Sequence, residues 1–327
     1  LPEALVTGAN GFVGSHICEA LIAAGFSVRA LVRKTSNLTN LTGVPVSLAY
    51  GDISDPASLP AAMHGVDAII NNAAIIKANH PEDFHAVNAV GTENVLKAAA
   101  EHAPGIRRLV HISSTAACGP APSQIPVDED STPAPLTAYG RSKLEAERLV
   151  QSYGGLLPTV ILRPCAVYGP RDKEMLRFFR SVKMGVKLAF GCSQNHINFT
   201  YVKDLAAAVV KAVEHDVPSG AIFFVAEKRS YAYNEAGDII ARHLGRRAFD
   251  LYVPEPILTL AGSLSEGLAR IRHKPSIFTR EKAREIKARY WLFDTSKAER
   301  ELGFTASTDF DRGAAETIRW YKEKGWL

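Results

Sequence analysis

The stretch Thr7-Gly8-Ala9-Asn10-Gly11-Phe12-Val13-Gly14 decides the fold. The apolar run Ala4-Leu5-Val6 in front of it reads as a strand, and Phe12 to Ala24 behind it reads as a helix stopped by Gly25. Glycines at 8, 11 and 14 permit a tight turn, close approach of the backbone to a pyrophosphate, and close helix packing. The helix N-terminus then meets the phosphates with unpaired N–H groups and the positive end of its dipole. A glycine triplet alone is a weak signal. Set between a strand and a helix, it has the context a dinucleotide site needs. Gly8, Asn10, Gly11, Phe12, Val13 and Gly14 are therefore expected at the cofactor.

The alternation continues downstream. Ser27 to Arg33, Val46 to Tyr50, Asp67 to Ile70, Arg108 to Ile112 and Thr159 to Leu162 read as strands. A long helix over Pro81 to His102 and another opening at Tyr139 separate them. This pattern predicts βαβ units and an α/β fold, a Rossmann-type doubly wound parallel sheet. Beyond Gly169-Pro170 the pattern loosens into helices at Met175 to Met184 and Tyr201 to His215, with a strand at Ile222 to Val225. Two more helices, around Thr295 to Leu302 and Phe310 to Lys322, close the chain. The expected organisation is a dinucleotide-binding domain over 1–170, with 201–226 returning to it. Residues 171–200 and 227–327 would form a smaller, mainly helical substrate lobe.

Composition narrows the classes. The 327 residues are 46% hydrophobic and 22% charged, a globular profile, and the net charge of +4 is too small to point to nucleic acid. The basic run Arg280 to Arg289 alternates with acids at helical spacing and reads as a solvated helix face. Cys18, Cys118, Cys165 and Cys192 are scattered, which predicts a reducing compartment, no disulfide framework and no metal site. No apolar run approaches the ~18 residues of a membrane span. With no leader read ahead of the first strand, the expected location is cytoplasmic.

The end of the second strand selects the dinucleotide. An acid there would hold a ribose 2′-hydroxyl, whereas an Arg accommodates a 2′-phosphate. The strand ends Val32-Arg33-Lys34-Thr35-Ser36-Asn37 without an acid. Arg33, supported by Lys34 or Ser36, favours NADP(H), and NAD(H) stays open. Asp52 and Ile53 end the third strand beside the expected adenine. Asn72, Ala73 and Ala74 end the fourth, small enough to admit the ribose, and Ser113 and Ser114 end the fifth.

Tyr139-Gly-Arg-Ser-Lys143 supplies acid–base chemistry. Residues four apart share a helix face, so the phenol and the ammonium would point into one space. A free phenol titrates near ~10, and a fixed ammonium beside it would lower that value into a useful range. Tyr and Lys at this spacing are common on helices, and the pair gains its weight from the frame upstream.

Taken together the chain resembles the extended short-chain dehydrogenase/reductase family. The motifs are TGANGFVG at 7–14, GDISDP at 51–56, NNAA at 71–74, VNAVGTENVLKAA at 87–99, HISSTAACG at 111–119, YGRSK at 139–143, RPCAVYGPRD at 163–172 and YVKDLA at 201–206. The resemblance implies a catalytic group of Ser114, Tyr139 and Lys143. Tyr139 would be the acid/base, and Ser114 would orient the substrate oxygen. Lys143 would hold the nicotinamide ribose and tune the phenol. Pro164, Ala166 and Val167 would lie along the nicotinamide, and Asn88 would play a supporting part at the cofactor. Homodimers are frequent in the family, joined through helices matching Pro81–His102 and Tyr139–Val150.

Two branches compete for the substrate. Sugar-nucleotide epimerases and dehydratases carry an Asn where Cys165-Ala166 stands here, and a diphosphate-clamping Arg where Ile197 stands. A second basic clamp is absent from Glu285 to Trp291, although His196 or Arg171 could substitute. The other branch, 3β-hydroxysteroid dehydrogenases and dihydroflavonol 4-reductases, matches the ending Tyr290 to Ala298, Glu301 to Phe304 and Trp320 to Leu327. Met175, Phe178, Phe179, Phe199 and the stretch 256–261 would give it an apolar wall. The expected activity is NADP(H)-dependent interconversion of a ketone and a secondary alcohol on a fairly hydrophobic small molecule. A non-catalytic dinucleotide sensor is disfavoured, because such proteins typically lose the Tyr or the Lys.

Overall fold

The chain begins β1 (Glu3–Thr7), α1 (Phe12–Ala23), β2 (Ser27–Val32), β3 (Ser47–Tyr50), β4 (Ala68–Asn71), α2 (Gly91–His102), β5 (Arg108–Ile112), α3 (Ala138–Ser152) and β6 (Thr159–Pro164). It continues β7 (Ala166–Tyr168), α4 (Leu176–Lys183), β8 (Val186–Phe190), β9 (His196–Tyr201), α5 (Val202–Glu214) and β10 (Ala221–Val225). The last elements are β11 (Ser230–Ala232), α6 (Tyr233–Leu244), β12 (Phe249–Val253), α7 (Arg280–Lys287), β13 (Tyr290–Trp291), α8 (Ser296–Glu301) and α9 (Phe310–Glu323). The structure, a computed structural model, describes residues 1–190, 195–254, 256–257, 262, 265 and 280–327.

Seven strands form one parallel sheet in the order β10-β6-β5-β4-β1-β2-β3. Successive side chains of a strand point to opposite faces. Ala4 and Val6 of β1 join the apolar layer under α1 and α5, with Ile17, Leu205 and Val209. Leu5 between them joins the layer under α2 and α3, with Leu96, Ala99 and Val150. A sheet covered on both faces needs such continuous apolar runs. The strand order reverses direction between β1 and β4, and the crevice outside the carboxyl ends there is where ligands of such sheets bind.

Three expectations need correction. The helix read over Pro81 to His102 is three segments: Pro81–Phe84, a π-helical stretch His85–Val90, and α2. The wide π turn is invisible to a 3.6-residue periodicity. The helix read from Tyr201 begins at Val202, because Tyr201 ends β9. The second part of the chain also carries more strand than expected. β9 pairs with β7, β11 and β13, while β8 pairs with β12. Around β9 lies a second core, in which Phe199 stacks on Phe310 at 4.3 Å and Tyr168 and Tyr231 close the cluster.

Candidate functional site

A cavity of about 1480 Å³ opens at the carboxyl ends of the sheet strands. Its floor is the turn from β1 to α1, and Gly8, Asn10, Gly11, Phe12 and Val13 line it. Gly11 caps α1 with no side-chain hydrogen bond, so the first-turn N–H groups have no capping partner from that residue. Gly14 is off the wall. A Cβ there would lie 2.2 Å from the Gly8 carbonyl oxygen, so this glycine lets the helix close onto the turn. Asp52, Ile53, Asn72, Ala73 and Ala74 line the next portion. Arg33 and Ser36 stand at the rim, where the Ser36 hydroxyl accepts the Arg33 backbone N–H at 3.1 Å. Lys34 is exposed and is not on the wall. The volume, the glycine turn and the bare helix end suit a dinucleotide with room for a substrate.

Asn88 has a different place from the cofactor contact expected of it. It is buried, its amide NH2 donates to Ile75 O and Ser142 Oγ (3.0 Å each), and its Oδ1 accepts from Ile75 N at 2.9 Å. The π stretch carries it there, and its hydrogen bonds tie the loop after β4 to helix α3.

Helix α3 presents Tyr139, Lys143 and Glu147 one turn apart. Thr137 caps it by accepting the Gly140 N–H at 3.0 Å, and Glu281 of α7 accepts the Ala138 N–H at 2.6 Å. Arg280, Lys282 and Arg284 of α7 are exposed, as expected of a solvated face, and Arg280, Glu281, Arg284 and Glu285 also line the cavity. Gly140 lets α3 approach the short helical turn Thr115–Cys118, since a Cβ there would lie 2.3 Å from Ala116 O. That turn begins at Ser114, which lines the cavity with Ser113, Tyr139, Lys143, Pro164, Ala166 and Val167. Phe84 packs edge-on against the Tyr139 ring at 6.0 Å.

The electrostatics differ from the expected lowering of the phenol by Lys143. Tyr139 keeps part of its surface open to the cavity, yet burial pushes its phenol up to about 12, against a lowering hydrogen bond from Ser114. The Lys143 Nζ donates instead to Ile112 O at 2.7 Å, and burial pushes its ammonium down to about 8. One turn on, Glu147 is 1% exposed and holds Arg163 in a two-point pair, 2.9 Å from Nε and 2.7 Å from Nη2. Ser113 Oγ also donates to Glu147. Neither Glu147 nor Arg163 was singled out from the sequence, although Tyr139, Lys143 and Glu147 follow the same four-residue spacing.

Part of the wall is apolar, formed by Met175, Phe178, Ile197, Phe199, Trp291 and Phe293, while Asp172, Glu174 and Arg177 line the same cavity. Phe179 belongs elsewhere, fully buried edge-on against Tyr321, and residues 258–261 lie outside the described residues. Neither Arg171 nor His196 lines the cavity, and Arg171 is spent on Ser15 and Glu19 of α1. Asp204 of the YVKDLA motif is spent on Ser307 and Thr308. Among the described residues, no cluster of metal-ligating side chains is present, and no helix is long and apolar enough to cross a membrane.

A family model built on NAD-dependent epimerases and dehydratases matches residues 4–226, more than half of the chain. The chain belongs to the NAD dependent epimerase/dehydratase family. It is an NAD(P)-dependent oxidoreductase of the extended short-chain dehydrogenase/reductase type. Among similar members of the epimerase/dehydratase family is the ceramide reductase of Caulobacter vibrioides, 28% identical, with 98% of this chain and 95% of the relative covered. The 2-alkyl-3-oxoalkanoate reductase of Stenotrophomonas maltophilia is also 28% identical, with 94% and 96% covered. The crystal structure of DesIV, a dTDP-glucose 4,6-dehydratase of Streptomyces venezuelae with NAD bound, superposes with a TM-score of 0.80 at 26% identity over 99% of this chain and 98% of that one.

Proposed function

We propose that this enzyme interconverts a ketone and a secondary alcohol on a fairly hydrophobic small molecule, using NADP(H) in preference to NAD(H). The observation that carries the proposal is the placement of Tyr139 on one cavity wall with Ser114, Lys143, the glycine turn and the apolar residues Met175, Phe178 and Phe199. When bound, the nicotinamide supplies or accepts the hydride. Tyr139, held neutral by burial, is poised to donate its proton to a carbonyl oxygen as that oxygen gains charge. Ser114 orients the same oxygen by hydrogen bonding. Lys143 holds the ribose, and Pro164, Ala166 and Val167 support the nicotinamide face. Asn10, Phe12 and Val13 carry the phosphates, with Gly8 and Gly11 giving the backbone its close approach.

The apolar wall favours a hydrophobic ketone over a sugar diphosphate. Ile197 on that wall offers an anion no hydrogen bond and Arg171 is committed to α1, so a sugar diphosphate would have to rely on Arg177, Arg280 or Arg284 elsewhere on the wall. Relatives named as reductases of ceramide and of 2-alkyl-3-oxoalkanoates support the same direction. Arg33 at the rim supports a 2′-phosphate. A homodimer through the outward faces of α2 and α3 belongs to the same reading, and light scattering on the purified protein tests it.

The deciding experiment follows nicotinamide absorbance with a panel of long-chain and polycyclic ketones, NADPH and NADH run in parallel, and sugar nucleotides as a separate set. Net loss of reduced cofactor on a hydrophobic ketone supports the proposal. Isomerised sugar nucleotide without net cofactor loss overturns it. Replacing Arg33 by Asp should move the kcat/KM preference toward NADH by ~10-fold or more, about the value of one charge-assisted contact. A wild type that already prefers NADH overturns the cofactor assignment.

A further inference from the structure

Helices α6 and α7 bring two polar groups to the wall beside Tyr139. The first turn of α7 packs on α3, where Glu281 accepts the Ala138 N–H at 2.6 Å and an Arg141 N–H at 2.7 Å. Residues four apart share a helix face, so Glu285, one turn along α7, stands on the side that meets the start of α3. Helix α6 reaches the same place through Asn195. The N–H of Tyr233, the first residue of α6, donates to Asn195 O at 3.2 Å, and the Asn195 amide donates to Ile286 O of α7 at 3.4 Å. Tyr139, Tyr233 and Glu285 all line the cavity, and the Tyr233 ring stands edge-on to Phe178 with 6.5 Å between centroids. Among the described residues the Tyr233 hydroxyl has no hydrogen-bond partner. Lys282 donates to Glu285 Oε1 at 2.7 Å, and a carboxylate has room to accept further bonds. A sheltered hydroxyl without a partner costs free energy that a bound ligand recovers.

We propose that Tyr233 and Glu285 are specificity residues that read a second group of the substrate, a hydroxyl or a secondary amide beside the reacting carbonyl. The Tyr233 O–H donates to the oxygen of that group, and the Glu285 carboxylate accepts its O–H or N–H. The pair therefore selects a neutral group that does both. A plain ketone leaves both residues unmet. A carboxylate accepts from Tyr233 but sets a second negative charge against Glu285. The cations on the same wall, Arg177, Arg280 and Arg284, are exposed, so water and salt screen them. The electrostatics agree with the geometry. Burial first, and the Glu285 charge after it, push the Tyr233 phenol up to about 12, which keeps it a donor near neutral pH. The Glu285 charge also raises the Tyr139 phenol, as a neighbour of both tyrosines must. The inference rests on the reading of Tyr139 as the acid of a ketone reduction, and it adds what stands next to that ketone.

The test uses long-chain ketones that differ only in the group beside the carbonyl: a secondary amide, a tertiary amide, a hydroxyl, a carboxylate, or none. Dissociation constants are read by titration calorimetry on the full chain loaded with oxidised cofactor, which has no hydride to give a ketone. Turnover is followed separately by nicotinamide absorbance. The secondary amide and the hydroxy ketone should bind ~30-fold more tightly than the plain ketone, the worth of two hydrogen bonds, one of them to a charge. The tertiary amide accepts but cannot donate, and it should fall between. The tighter of the amide and the hydroxy ketone identifies the group. In Tyr233→Phe the affinity ratio of secondary amide to plain ketone should shrink ~5-fold. A purely structural Tyr233 would weaken both compounds alike and leave the ratio unmoved. In Glu285→Gln the carboxylate compound should gain ~10-fold on the plain ketone, because the facing charge is gone. A carboxylate that binds the wild type more tightly than the secondary amide, or ratios that neither substitution moves, overturns the proposal. Discrimination in binding without loss of reduced cofactor on any compound supports the pair and overturns the reductase reading. Turnover of every ketone without discrimination does the reverse.

Discussion

Tyr139 draws its chemical character from being enclosed. A phenol at the water interface titrates near ~10. Here burial outweighs the lowering hydrogen bond from Ser114 and carries it to about 12. Near neutral pH the group is a protonated donor, the form a carbonyl reduction consumes. Replacing Tyr139 by Phe removes the proton and little else, since the ring keeps its edge contact with Phe84. Turnover should fall by ~10²- to 10⁴-fold, the usual worth of a positioned general acid. The dissociation constant of the reduced cofactor, read by fluorescence titration, should change less than about twofold, because the phenyl ring still fills the same space. A Phe variant that turns over at the wild-type rate would remove Tyr139 from the mechanism.

Among the elements, α3 decides whether the site is assembled, and one glycine decides where α3 lies. Alanine is ordinarily better than glycine in a helix by ~0.5–1 kcal/mol. At position 140 that preference is outweighed, because a Cβ would stand 2.3 Å from the Ala116 carbonyl oxygen, a backbone atom with no rotamer to yield. Gly140→Ala should push α3 away from the Ser114 turn, lower kcat by ~10²-fold as a 1 Å misplacement does, and lower the melting temperature as well. An unchanged kcat would mean that the gap between α3 and the turn does not set the Ser114–Tyr139 geometry. The glycine turn, the strand ends and the Tyr–Lys spacing were legible in the sequence because each depends on neighbours within a few residues. Asn88, Glu147 and Glu281 were not legible in their actual roles. Their partners lie on other elements: Ile75 and Ser142 for Asn88, Arg163 for Glu147, and the α3 N-terminus for Glu281. The π stretch that aims Asn88 has no periodic signature in so few residues.

At the scale of the molecule, two cores meet across the cavity, one around the large sheet and one around Tyr168, Phe199 and Phe310. The second was read as mainly helical because its strands span only two to six residues and pair with distant segments. Local hydrophobic periodicity carries no information about such partners. The connection after β7 fastens the two cores together. His16 of α1 meets Pro170 O at 3.0 Å, and Arg171, at φ 74°, donates to Ser15 at 3.0 Å and to Glu19. A non-glycine residue in the left-handed region costs about 1–2 kcal/mol, so the Arg171 contacts must offset that strain. Burial alone would raise the Glu19 carboxyl, but hydrogen bonds from His16 and Arg171 outweigh it and bring the group down to about 2, from 4.5. A carboxylate whose folded pKa lies below its unfolded one stabilises the fold above the unfolded value and loses that contribution as the pH falls toward the folded value. The clasp should therefore act fully above about pH 5 and fade between there and pH 2. Urea midpoints of the wild type and Glu19→Gln should differ at pH 7, with the wild type higher, and converge as the pH is lowered toward 2. A gap of constant size across that range would mean that shape, and not the Glu19 charge, fastens α1 to the second core.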